Sequence, residues 1–300
     1  MDKEIHFIAG LPRSGSTLLR NILNQNPKFH ATSTSGILDI ILAIRNQWEN
    51  LAVFQAAPNK VGKAAVVNNI LHNYVSVVKR PVYFDKSRGW IAYIELAEAI
   101  LQQKMKILVP VRKITDILSS FENLYRKNAH DWQFPQEKSH YFEWQTVEGR
   151  ADIWMRSDQP VGIAYNRIRD ALNRGYDDRL LFIEFDDLSN KPKKTMQGVY
   201  DFLGYEYHPH DFNYVEQVTQ ENDDIHGIPG LHVIRNKVEP LPSYGHALIG
   251  ETSYAKYDDA QFWQKGPEAP SAPAPAATAP APAPAPVILD EGFLSSDTIG

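Results

Sequence analysis

The 300-residue chain has no cysteine, which excludes disulfides, thiolate metal sites and a cysteine nucleophile together. It has no run of eighteen or more apolar residues, the length a membrane-crossing helix needs. Its first residues, Met1-Asp2-Lys3-Glu4, are too charged for a secretory leader. The expected setting is therefore cytoplasmic, with no transmembrane anchor. A basic excess is missing as well. Of the formal charge of −5, the stretch from Gly266 to Gly300 carries −4 through Glu268, Asp290, Glu291 and Asp297, leaving −1 for the remainder. A near-neutral body argues against nucleic acid as a partner, which needs a basic face, but it leaves room for a local basic pocket.

What the chain does have is concentrated near its start. Ile5 to Ala9 reads as an apolar strand, Gly10-Leu11-Pro12-Arg13-Ser14-Gly15 as a glycine-bracketed turn, and a helix begins at Ser16 or Thr17. Such a strand–loop–helix makes an anion hole. The glycines allow a tight turn, and successive N–H groups converge near the positive end of the helix dipole. The spacing nearly matches the nucleotide-binding pattern G-x-x-x-x-G-K-[ST], except that Ser16 stands where that pattern has lysine. The cation has moved into the loop as Arg13. A loop with one arginine and two hydroxyls suits one phosphate and an attached anionic group better than a triphosphate.

Further along, Val82-Tyr83-Phe84 reads as a short strand delivering Asp85-Lys86-Ser87 to a loop, in the place where α/β proteins bind ligands. Ile107 to Val111 is a buried strand by its continuous apolar run. It ends in Arg112, with a helix following from about Thr115 to Lys127 and Ser120 two turns into it. That strand lacks the terminal aspartate that helps hold Mg²⁺ in P-loop nucleoside triphosphatases.

Leu11-Pro12-Arg13-Ser14-Gly15-Ser16-Thr17 resembles the 5′-phosphosulfate loop of sulfotransferases that use 3′-phosphoadenylyl sulfate (PAPS), in the form similar to tyrosylprotein and carbohydrate sulfotransferases. The resemblance runs over roughly residues 5–250. It implies a P-loop-like α/β fold, a central parallel sheet flanked by helices, and transfer of a sulfuryl group from PAPS to a hydroxyl or amine, releasing 3′-phosphoadenosine 5′-phosphate (PAP) with no metal. By the same resemblance, Ser14, Gly15, Ser16 and Thr17 bind the 5′-phosphate, and Arg13 and Lys86 face the sulfuryl group and bridging oxygen. Tyr83-Phe84-Asp85-Lys86-Ser87 is similar to the Phe-Glu-Lys-Ser/Thr element of heparan sulfate sulfotransferases, so Asp85 is the expected base, with His30 as the other candidate. Arg112 and Ser120 match the family's 3′-phosphate site, which a basic C-terminal loop, through Arg235 or Lys237, would complete. Two departures stand out. Around Thr34, where tyrosylprotein relatives carry the base glutamate, this chain has only hydroxyls, and Phe185 falls where those relatives carry a tyrosine.

The alternatives are an ATP-dependent kinase with a degenerate P-loop, and a non-catalytic nucleotide-binding or scaffold protein. Acceptor identity stays open among sugars, peptides and small molecules. The aromatic-rich stretch 128–157 reads either as an acceptor lid or as a hydrophobic cluster. The histidines at 208, 210, 226, 232 and 246 match no zinc signature. Residues 1–265 form the expected domain and 266–286 a Pro/Ala-rich, disordered linker. Residues 287–300 regain apolar character and suit a docking peptide.

Overall fold

Strands β1 (Glu4–Ile8), β2 (Phe29–Thr34), β3 (Val82–Lys86), β4 (Ile107–Val111) and β5 (Leu180–Glu184) form one parallel sheet in the order β2-β3-β1-β4-β5. This computed structural model describes residues 3–243 and 245–264. The expected linker and terminal peptide lie outside the described residues. Helices α1 (Ser16–Asn24), α2 (Ile37–Asn50), α3 (Ala52–Ala56), α4 (Lys60–Ser76), α5 (Ile94–Leu101) and α6 (Ile114–Asn128) fill the first half of the chain. Among the described residues no helix is long and apolar enough to cross a membrane.

The sheet is covered on both faces, as parallel sheets must be. Side chains alternate along each strand. Ile5 and Phe7 of β1 enter one apolar cluster with Tyr83, Ile107 and Val109 and with residues of α2, α4, α5 and α6. Ile8 enters the other with Val82, Phe84 and Leu108, with the Leu18-Leu19-Ile22-Leu23 face of α1, and with Met196 and Val199 of the helix Pro192–Leu203. The central strand β1 lies between β3 and β4. The chain leaves it towards β2 on one side and later crosses to β4 on the other. A cleft forms outside the carboxyl ends of strands at such a switch point.

Two local features differ from the sequence expectation, and a third falls on one of two open readings. The polar segment after Pro27 is strand β2, at the sheet edge. Only Phe29 and Ala31 are buried along it, and its register shifts between Ala31 and Thr34, which erases the simple alternation that marks a strand. Strand β3 is longer than its apolar core, pairing with β1 from Glu4–Val82 to Ile8–Lys86, so Asp85 and Lys86 are strand residues. Of the two readings of the aromatic-rich stretch, its buried members favour the hydrophobic cluster, while Tyr141 and Phe142 are exposed. Phe134, Trp144 and Trp154 are buried, with Trp154 stacked on Phe121 at 4.5 Å. Arg150 pins this region by donating to both carboxylate oxygens of the buried Glu122, at 2.7 and 2.8 Å.

Candidate active site

The loop after β1 packs against β4. Leu11 N donates to Pro110 O at 2.9 Å, and a Cβ built on Gly10 would sit 2.1 Å from that oxygen, so only glycine fits there. The Ser14 hydroxyl also turns inward, to the carbonyls of Leu11 (2.5 Å) and Pro110 (2.8 Å). The hydroxyl expected to bind the 5′-phosphate is thus engaged with the loop's own surroundings. Gly15 caps α1 in the left-handed region at φ 86°, and no side chain caps the helix. The first amides of α1 are thus left for an anion, beside Ser16 and Thr17, which line the cleft.

This cleft, of about 520 Å³, lies within the size range of small-molecule sites. Its lining brings Arg13, Lys86, Arg112, Arg235 and Lys237 together with the carboxylates of Asp116 and Glu239. Arg13, itself at positive φ (57°), donates from Nε to Ser120 Oγ at 3.0 Å and from its other end to Leu231 O. Burial, and then the nearby Arg112, pull its guanidinium down to about 10. Arg112 lies 4.6 Å from the Phe185 ring centroid. Its Nε is buried with no hydrogen-bond partner, 4.0 Å from Asp116 Oδ2. Phe185 therefore supplies a stacking face where a tyrosine hydroxyl was missed from the sequence.

The Asp85-Lys86 pair is split by the strand period. Lys86 enters the cleft, 3.2 Å from Thr34 Oγ1 and 3.6 Å from Glu221 Oε1, and burial pulls its ammonium down to about 8. Asp85 faces the other way. It is fully buried, accepts from Trp90 Nε1 at 2.7 Å and is absent from the cleft lining. Burial raises its carboxyl to about 6 against the pull of the Trp90 bond. A base has to reach the acceptor's proton, and Asp85, the expected base, lies away from the cleft lining. His30, the other candidate, sits in β2, stacked on Tyr83 at 5.3 Å, and does not line the cleft.

The sequence reading missed the polar group opposite Lys86. The segment after the last sheet helix crosses the cleft, tied by Arg20 to Thr219 O (2.9 Å) and by Thr34 N to Glu221 Oε2 (3.4 Å). There Asp223 accepts from the backbone N–H of His232 at 2.9 Å, and its Oδ1 lies 2.6 Å from the ring Nδ1. A proton shared with a carboxylate sits on Nδ1 and leaves the Nε2 lone pair free. Burial, with Lys86 adding to it, holds this imidazole below its ordinary range. His226 also lines the cleft and, with Glu221 and His232, forms a group able to hold a metal ion. His232 lies nine positions after Asp223, and no local pattern announces the pairing.

The sequence matches the family model "Sulfotransferase family" over residues 6–209. Over 70 residues it is 31% identical to Protein-tyrosine sulfotransferase A of Caenorhabditis elegans, a match covering 23% of this chain and 18% of that protein. The chain thus spans less than a fifth of this relative's length. Among solved structures, mouse sulfotransferase SULT7A1 complexed with PAP superposes with a TM-score of 0.52 at 15% identity, covering 89% of this chain and 85% of the other. The sulfotransferase domain from the curacin biosynthetic pathway gives 0.51 at 14% identity, covering 85% and 97%. At such identities the structures speak for the fold alone. The family match runs from β1 through the glycine loop, Lys86 and Arg112 to beyond β5, and the chain belongs to the sulfotransferase family.

Proposed function

We propose that this chain is a PAPS-dependent sulfotransferase that transfers the sulfuryl group to a hydroxyl or amine. The observation that carries the reading is the unpartnered, buried Arg112 Nε, in a basic cleft one strand away from an uncapped helix start. An arginine whose Nε lacks a hydrogen-bond partner is suited to a forked, charge-assisted contact with a phosphate that ATP and AMP lack. The fit is supported at the other end by the start of α1, which no side chain caps, and by Gly10 and Gly15, which let the loop close against Pro110 and Phe185.

In this reading the α1 amides, Ser16 and Thr17 hold the 5′-phosphate, while Arg112 and Ser120 hold the 3′-phosphate. Both Arg235 and Lys237 stand at the cleft wall, each sharing Glu239 (3.1 and 3.9 Å), and either can close the 3′-phosphate site. PAPS supplies an activated sulfuryl group on a phosphate oxygen. Lys86 and Arg13 stabilise the negative charge that grows on that oxygen more than they stabilise the ground state. His232 takes the acceptor proton at Nε2, and Asp223 fixes the ring and steadies the imidazolium. Asp85 has a structural part, anchoring the Trp90 indole beneath β3.

The test is PAP release from PAPS over a panel of sugar, peptide and small alcohol or amine acceptors, without metal. Acceptor-dependent PAP release that Lys86→Ala abolishes is the expected result. Binding of ATP with Mg²⁺ while PAP stays silent would move the loop to kinase chemistry. Binding of neither would favour a scaffold.

A further inference from the structure

The cleft wall facing Lys86 carries a side-chain group that the transfer chemistry uses only in part. Glu221, His226 and His232 each bring one ligand atom to a common place, all within 4.8 Å of one another. The short helix Asp223–His226 and the left-handed Gly227 and Gly230 (φ 71° and 78°) fold the segment back so that residues 221 and 232 meet.

Two further observations point to a ligand. Glu221 Oε1 is buried with no hydrogen-bond donor, and its side chain is 9% exposed. A carboxylate oxygen withdrawn from water and left undonated is poorly compensated; its nearest charge, Lys86 Nζ, stands off at 3.6 Å. His232 is held by Asp223 through both its backbone N–H and its ring. A carboxylate behind an imidazole is the arrangement that orients metal-bound histidines and raises their basicity. His226, exposed, completes the group with its ring centroid 5.4 Å from that of His232.

We propose that Glu221, His226 and His232 bind a divalent transition-metal ion, zinc above all, at the wall of the cleft. Two imidazoles and a carboxylate are the donor set of open zinc sites and not of magnesium or calcium sites. Glu221 and Asp223 together match the charge of the ion. Lys86 keeps Thr34 Oγ1 as an acceptor when Glu221 turns to the metal, and its proximity makes the site weaker than a closed structural one. Binding stands on this geometry alone; its consequence rests on the function proposed above. One imidazole cannot be both ligand and proton acceptor, so an ion here opposes transfer.

The experiment is titration of the chelator-treated full chain with Co²⁺, followed by visible ligand-field absorption, with Zn²⁺ added last. One Co²⁺ per chain, displaced by Zn²⁺ and bound at least tenfold more weakly by His226→Ala and by Glu221→Gln, is the expected result. His226 is exposed, so its variant keeps the fold. No absorption change, or uptake undiminished in His226→Ala, overturns the site. PAP titration of the same metal-free sample separates the two readings: PAP binding without Co²⁺ uptake removes the metal site alone, and Co²⁺ uptake without PAP binding keeps the site and removes the consequence for transfer.

Discussion

Phe185 joins the glycine loop to Arg112: its ring lies 4.6 Å from the Arg112 guanidinium carbon, and a Cβ on Gly15 would meet the same ring at 2.7 Å. The residue beginning the segment after β5 thus sets both the arginine and the tip of the glycine loop. Replacing Phe185 by Leu keeps apolar volume and removes the aromatic face. PAP affinity should fall about tenfold, since a desolvated cation–π contact is worth roughly 1–2 kcal/mol. Calorimetric titration checks it, and unchanged affinity would mean that the ring does not position Arg112.

Gly10→Ala forces a methyl group into the Pro110 carbonyl. Backbone has to move, and overpacking of this kind costs about 1–3 kcal/mol. Urea denaturation should show the loss, and PAP binding should weaken as the loop shifts. A variant as stable as the parent would contradict the close approach of loop and β4.

Asp85 makes stability depend on pH. Its folded carboxyl stands at about 6 against an ordinary 3.8, so the native state holds this proton longer than the unfolded chain. The contribution is full below about pH 4 and is lost as pH rises through 6, by roughly 2–3 kcal/mol. His6, buried and depressed to about 4, acts in the opposite direction: its contribution is present above 6.5 and lost as pH falls through 4. The difference between wild type and Asp85→Asn isolates the first effect. The variant, which still accepts from Trp90, should be the more stable above pH 6 and lose that advantage near pH 4. Thermal melts across this range decide it.

His232→Ala and Asp223→Asn should lower kcat by about 10²-fold or more, the usual range for loss of a positioned base or its orienting group. PAP affinity should change little, and Asp85→Asn should retain turnover. A large loss of kcat in Asp85→Asn with the fold intact would return the base to that carboxylate.

The cleft wall around the glycine loop and Arg112 was legible from local signals. The glycine spacing from Gly10 to Gly15, the apolar run Ile107–Val111 ending in Arg112, and the Ser120 spacing each mark one element and need no partner to be read. The rest depended on facts that no short stretch contains. Asp85 and Lys86 read as two loop neighbours, but two more residues of pairing in β3 sent them to opposite faces of the sheet. Ser14 looked like a ligand hydroxyl until Pro110 O, 96 positions away, took it. Strand β2 is polar because it is an edge, and edges need no full apolar alternation. Glu221, Asp223 and His232 meet Lys86 only after the chain has crossed the finished sheet, so their relation is tertiary throughout.

The most direct test of the account is titration of wild type and Arg112→Ala with PAP and with AMP, at one salt concentration and without metal. The account predicts micromolar or tighter PAP binding by the wild type with AMP far weaker, and PAP reduced nearly to the AMP level in Arg112→Ala. Equal binding of PAP and AMP by the wild type, or equal losses for both in the variant, would contradict a 3′-phosphate site at Arg112 and the sulfuryl-donor reading built on it.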